Sequence, residues 1–247
     1  MLVKLDFPND KSLTTPELEA QNKKLAEQYP IPGYPTILLT DADGRVYGQT
    51  GYQPDGPEKY VAMLAELQKK GVLFQTAMAN TTGKEGAARA KAIDEALAIL
   101  DEQVVSSHHL GSMEEIVKLD ADGKAGLKEK YETKVKDILM AREIDREGRA
   151  LNELVGALMQ EGKGKEALAK LDELLKAPKS KVQQQMALFF KGMVTMDVDG
   201  NVKAAIEALE AGKAVLPDSP VGKRIEQILP ELKKQEADKG EKKDGGK

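Results

Sequence analysis

The chain has 247 residues, a net charge of −4, 40% apolar and 32% charged residues, and neither cysteine nor tryptophan. That length allows one large or two small domains with a real core. Thiolate catalysis, thiolate metal sites and disulfides are excluded; no basic stripe with interleaved aromatics points to nucleic acid, and no apolar run approaches the roughly 18 residues of a membrane span.

Met1–Phe7 places Leu2, Val3, Leu5 and Phe7 among polar residues and predicts a half-buried strand. Thr14-Thr-Pro-Glu17 is a helix start, with a threonine cap, proline in the first turn and Glu17 placed for a capping box. Leu18, Leu25 and Tyr29 share one face of that helix, which must stop before Pro30. An apolar run from Ile37 to Leu39 then ends in Asp41-Ala-Asp-Gly44, which is hairpin-turn chemistry, and a second strand follows over Arg45–Thr50. Pro57–Lys70 is an amphipathic helix with Gly71 where a C-cap glycine belongs, and residues 73–86 read as a linker.

Beyond that linker every pattern is helical. Ile93, Leu97 and Leu100 mark one helix; His108-His109 falls in a polar loop before a helix near Ser112; a long helical pattern runs from Leu127 through Leu158. Lys165–Leu171 then matches Lys203–Leu209 at an offset of 38 residues, aligning Ala167 with Ala205, Leu168 with Ile206 and Leu171 with Leu209. Each copy is preceded by a helix with an internal glycine, Gly156 or Gly192, and followed by Pro178 or Pro217. Val221–Leu232 closes the helices, and the charged residues 233–247 read as a solvated tail.

Three Asp-x-Asp-Gly clusters, from Asp41, Asp120 and Asp197, invite a calcium reading. Calcium loops of the helix–loop–helix type need glycine at position 6 and glutamate at 12, whereas glycine falls here at position 4 and position 12 is Tyr52, Tyr131 or Ala208. Turn chemistry accounts for them better. No metal site and no cofactor is expected, and no dinucleotide, P-loop, nucleophile-elbow or zinc-protease motif is present.

The order helix, Gly33-Tyr-Pro-Thr36, hairpin and helix resembles the C-terminal half of a thioredoxin-fold domain. The resemblance covers roughly residues 1 to 72. It implies that Pro35 is a cis-proline and that Tyr34, Pro35 and Thr36 form a substrate-binding edge, along which an extended peptide adds by main-chain pairing. The alternative is a tight turn that merely delivers the chain into a buried strand. The family's Cys-x-x-Cys pair has no counterpart here, so no catalytic residue is assigned. The 38-residue match resembles tetratricopeptide-type helical hairpins, in which small residues let paired helices approach closely.

The expected architecture is α+β then all-α. An incomplete thioredoxin-like α/β domain (β-α-β-β-α) spans 1–72, a linker 73–86, a tetratricopeptide-like helical domain 87–232 and a disordered tail 233–247. Because a strand is expected at residue 2 without an N-terminal lead, the chain is expected to be the C-terminal portion of a longer thioredoxin-like protein.

Two functions follow. One is a thiol-disulfide oxidoreductase-like protein that is redox-inactive in these 247 residues; the other is a non-catalytic scaffold for a peptide or protein client. A third reading is a remnant without an independent role. Met1-Leu-Val-Lys-Leu-Asp lacks the features of a signal peptide, while the family resemblance implies an extracytoplasmic, periplasmic setting. Oligomeric state is left open.

Overall fold

The computed structural model describes residues 1–31 and 33–244. Helix α1 spans Pro16–Gln28, with Thr15 as N-cap accepting from Leu18 N at 3.3 Å and Pro16 in its first turn. Since Thr15 and not Thr14 is the cap, Glu17 stands one position short of the capping-box place. Tyr29 ends the helix ahead of Pro30, and its hydroxyl donates to Gly44 O at 3.1 Å.

Strands β1 (Thr36–Thr40) and β2 (Val46–Gly51) pair antiparallel, from Thr36 opposite Gly51 to Thr40 opposite Val46, with an irregularity between Leu39 and Thr40. Asp41 organises the turn. Its Oδ1 accepts from Asp43 N and Arg45 N at 3.0 and 2.9 Å, and Gly44 takes φ +78°.

Among the described residues these two strands are the whole sheet. The strand expected over Met1–Phe7 does not form. A strand is held by ladder bonds to a neighbour, and this segment has other attachments. Asn22 Nδ2 donates to Asp6 O at 2.8 Å, and the Phe7 ring lies 5.8 Å from that of Tyr34. Leu2 and Val3 stay exposed. The expected order β-α-β-β-α is therefore α-β-β-α, within a layout that remains α+β followed by all-α.

Helix α2 runs over Pro57–Ala79, past Gly71 and into the segment expected as a linker. Gly71 is needed for close approach and not as a cap: a Cβ there would stand 2.6 Å from Tyr47 Cε2. The longer helix adds about two and a half turns that can pack. Phe74 is fully buried and shares a core with Val46, Ile93, Val104, Met113 and Ile116. Val46 comes from β2, and the others from α3 (Gly86–Leu97), α4 (Glu102–His108) and α5 (Leu110–Leu119).

Helix α6 covers Lys128–Gln160. Its start is fastened by Asp120, whose carboxylate accepts from Ala125 N, Leu127 N and Lys128 N at 2.6, 2.7 and 2.9 Å. Burial pushes this carboxyl up, but the three backbone N–H groups outweigh it and hold it below the ordinary range. The chain divides into two compact units between Ile138 and Leu139, inside α6 and not at residues 73–86. Helices α3 to α5 belong with the hairpin because they share its core.

The second unit contains α7 (Gly164–Lys176), α8 (Lys181–Asp199), α9 (Val202–Val215) and α10 (Pro220–Asp244). Consecutive helices pack in series: α7 on α8, α8 on α9, and α9 on α10. The repeated positions carry the same task, since Ala167, Leu171, Ala205 and Leu209 are all fully buried. Between α8 and α9, Gly200 takes φ +57° as the left-handed cap, and Asn201 Oδ1 accepts from Ala204 N. Helix α10 does not stop at Leu232. It continues through Lys233–Asp244, where Lys233 Nζ meets Glu210 at 2.6 Å; residues 245–247 of the expected tail lie outside the described residues.

The two repeat glycines differ. A Cβ on Gly192 would lie 2.7 Å from Leu209 Cγ, so α8 and α9 meet there, whereas Gly156 has nothing within 4 Å. Gly156→Ala should therefore stabilise the protein by about 0.5–1 kcal/mol through helix propensity. Gly192→Ala should destabilise it by about 1–3 kcal/mol through overpacking. Urea unfolding of the two variants should move the midpoint in opposite directions.

Candidate functional site

The loop into β1 has the proline geometry that the family resemblance implies. The Tyr34–Pro35 peptide bond is cis. Thr36 Oγ1 donates to Gly33 O at 2.6 Å, closing the loop on itself. Pro35 O comes so near the end of β2 that a Cβ at Gly51 would stand 2.6 Å from it, so Gly51 is required by that approach.

Beside this loop lies a cleft of about 470 Å³ lined by Pro35, Thr36, Gln49–Tyr52, Asp101, Gln103 and Val104. Pro35 and Thr36 enter it, but Tyr34 does not. The Tyr34 side chain is 71% exposed and turned to Phe7. The far wall, Asp101 to Val104, begins α4 and is more than 60 residues from the loop in sequence.

His108 and His109 connect that wall to the hairpin, and neither is the solvated loop residue expected. They stand where α4 gives way to α5. His108 Nε2 meets Gln49 Oε1 at 3.0 Å, which positions a cleft residue. His109 is buried; its Nε2 is 2.6 Å from Val46 O and must carry the proton in that bond, and its ring is edge-on to Phe74 at 5.4 Å. Burial pushes the His109 imidazole below its usual range, against the raising effect of the Val46 carbonyl.

Against this geometry stands one relative. Over 68 residues, 28% of the chain, the sequence is 31% identical to the disulfide bond reductase DsbH of Chlamydia pneumoniae. The match covers 40% of that protein's length. No family model matches the chain, and no solved structure matches it.

The cleft is lined by polar side chains and holds no thiol. The chain has no cysteine. Thr36 Oγ1 is spent on Gly33 O, and Thr50 Oγ1 faces Met63 Sδ at 3.6 Å, so neither hydroxyl is paired with a base. Among the described residues no three His, Asp or Glu side chains gather as a metal site, and no helix is long and apolar enough to cross a membrane. The acidic clusters at Asp41 and Asp120 serve their own turns.

The family resemblance pointed to Tyr34, Pro35 and Thr36, of which Pro35 and Thr36 line the cleft. Gln49, Asp101, Gln103 and Val104 line it too and carry no local signal in the sequence. The paired histidines did carry one. Two adjacent histidines at a break between helical patterns mark a corner that can bond in two places at once.

Proposed function

We propose that this chain is a thioredoxin-like protein of the thiol-disulfide oxidoreductase kind that is redox-inactive as it stands. The carrying observation is the stretch shared with a disulfide bond reductase in a chain that has no cysteine. Disulfide exchange proceeds by thiolate attack through a mixed disulfide, and these 247 residues supply no thiolate. The succession α1, Gly33–Thr36, hairpin, α2 supports the reading, as does the setting of Pro35 between the loop and β1. Reduction of insulin by the 247-residue chain, with dithiothreitol as electron source, should match the protein-free blank. Turnover above the blank would overturn the proposal.

A second reading is a non-catalytic scaffold that holds an extended peptide at Tyr34, Pro35 and Thr36, of which Pro35 and Thr36 line the cleft. The exposed Tyr34 ring and the neutral amide and hydroxyl groups of Gln49, Thr50 and Gln103 suit a main chain seeking hydrogen-bond partners. The second unit is read as tetratricopeptide-like, supported by the serial packing of α7 to α10 and the equivalent burial of Ala167 with Ala205 and Leu171 with Leu209.

A further inference from the structure

The chain has two histidines, and both stand at the corner between α4 and α5 and bond to β2. His108 Nε2 donates to Gln49 Oε1 at 3.0 Å, a bond that a charged ring also makes. His109 differs. It is 4% exposed, its Nε2–H is given to Val46 O at 2.6 Å, and its ring is edge-on to Phe74 of α2. A second proton can enter only at Nδ1, and it would leave an imidazolium against the core that holds Val46, Phe74 and Val104. The charges around the corner do not offset that cost. Arg45 opposes a charge on His109 and Asp41 favours it, and these two are already paired at 2.7 Å. On the neighbouring helices, Lys70 of α2 is paired with Asp101, Arg89 of α3 with Glu115 of α5, and Glu102 of α4 with Lys134 of α6.

The same corner carries one wall of the cleft. His109 N donates to Val105 O, so the ring that holds β2 is continuous with the wall from Asp101 to Val104. We propose that the α4–α5 corner is an acid-released clasp, in which protonation of His109 frees the α4 wall from β2 and opens the cleft beside Pro35. The charged imidazole turns to water and Val46 O loses its donor, while His108 keeps the wall tethered to Gln49. Access to the cleft is gated in this way whatever occupies it. Burial holds the His109 imidazole below its ordinary 6.5. Above that pH the closed and open corners are both neutral, and opening does not depend on pH. Below it only the open corner takes up a proton, so the opening constant rises by up to about tenfold per pH unit until the lowered value is passed. Carboxylates respond further down. Burial raises Asp94 and Asp120, but their hydrogen bonds outweigh it and hold both below the ordinary carboxylate range.

The test is amide hydrogen exchange of the whole chain, read by NMR from about pH 7.5 to about pH 5 and corrected for intrinsic rates. Protection in β2 and α4 should fall by up to about tenfold per pH unit below about 6.5, while α8 and α9 keep theirs. In the same samples the His109 imidazole should titrate with a midpoint below 6.5. His109→Gln keeps a side-chain N–H for Val46 O without a titrating ring, so its protection should stay level with pH. His108→Gln should retain the response of the parent. Should His109→Gln melt early, the imidazole titration of the unaltered chain decides: a midpoint below 6.5 supports the clasp, and one at 6.5 or above overturns it. Level protection in the parent, or a response that survives in folded His109→Gln, also overturns it. So does an equal loss throughout α3, which would mean that the whole unit unfolds and not the corner alone.

Discussion

Phe74→Ala should lower stability by about 3–5 kcal/mol, the usual cost of emptying a large aromatic site in a packed core. Phe74 has no exposed surface and stands among Val46 of the hairpin, Ile93 of α3, Val104 of α4 and Met113 and Ile116 of α5. Its ring also supports the edge contact of His109, whose Nε2 holds the Val46 carbonyl. Removing the ring therefore opens a void and loosens the corner that sets the far wall of the cleft. Urea denaturation with amide exchange reads both effects: protection should fall throughout β2 and α4. A loss below about 1 kcal/mol would mean that the site collapses freely, contrary to close packing of this core.

Gln185→Leu should cost about 2–4 kcal/mol although it adds apolar volume to a buried site. Gln185 is fully buried, and its Nε2 donates to Gly212 O at 3.0 Å and Leu216 O at 2.8 Å. Its Oε1 accepts from Ser219 Oγ at 2.6 Å, and Ser219 Oγ in turn accepts from Gly222 N at 2.9 Å. One side chain thus satisfies the end of α9 and orders the entry to α10. Leucine leaves those carbonyls and the serine hydroxyl without this partner, and each buried polar group so stranded costs about 1–3 kcal/mol. Gln185→Glu separates the two contributions: it keeps the shape and the Ser219 bond but loses both donors. A leucine variant as stable as the parent would show that water or rearrangement replaces the amide.

These two residues illustrate what was legible. Phe74 lies beyond Gly71, and a glycine after an amphipathic stretch reads as a helix end. The structure keeps that glycine inside α2 because the Tyr47 ring lies against it. The cause is a contact between β2 and α2, which no window of sequence contains. Gln185 is similar: a glutamine on a helix reads as a solvent residue until its partners, 27 and 31 residues on, are placed beside it. The local signals fared better. The Asp41–Gly44 turn, the Thr-Pro start of α1, the Gly200–Asn201 corner and the burial of Leu171 and Leu209 all follow from nearby residues acting on their own backbone or from a repeated apolar face.

The N-terminal segment marks the boundary between the two kinds of information. Alternation in Met1–Phe7 predicts a face and not a partner, and without a ladder partner the segment is tied down by Asn22 and Tyr34 while Leu2 and Val3 stay in water. By itself, the sequence determined the absence of thiol chemistry, the helix–loop–hairpin–helix order around Pro35 and the helical repeat. Composition, turn chemistry and periodicity are properties of neighbouring residues. Only the tertiary structure decided that α2 extends to Phe74, that His108 and His109 hold β2, and that Pro35 and Thr36 face Asp101 across a cleft. Each of those rests on a contact between distant segments, where packing and buried hydrogen bonding override the local preference of the chain.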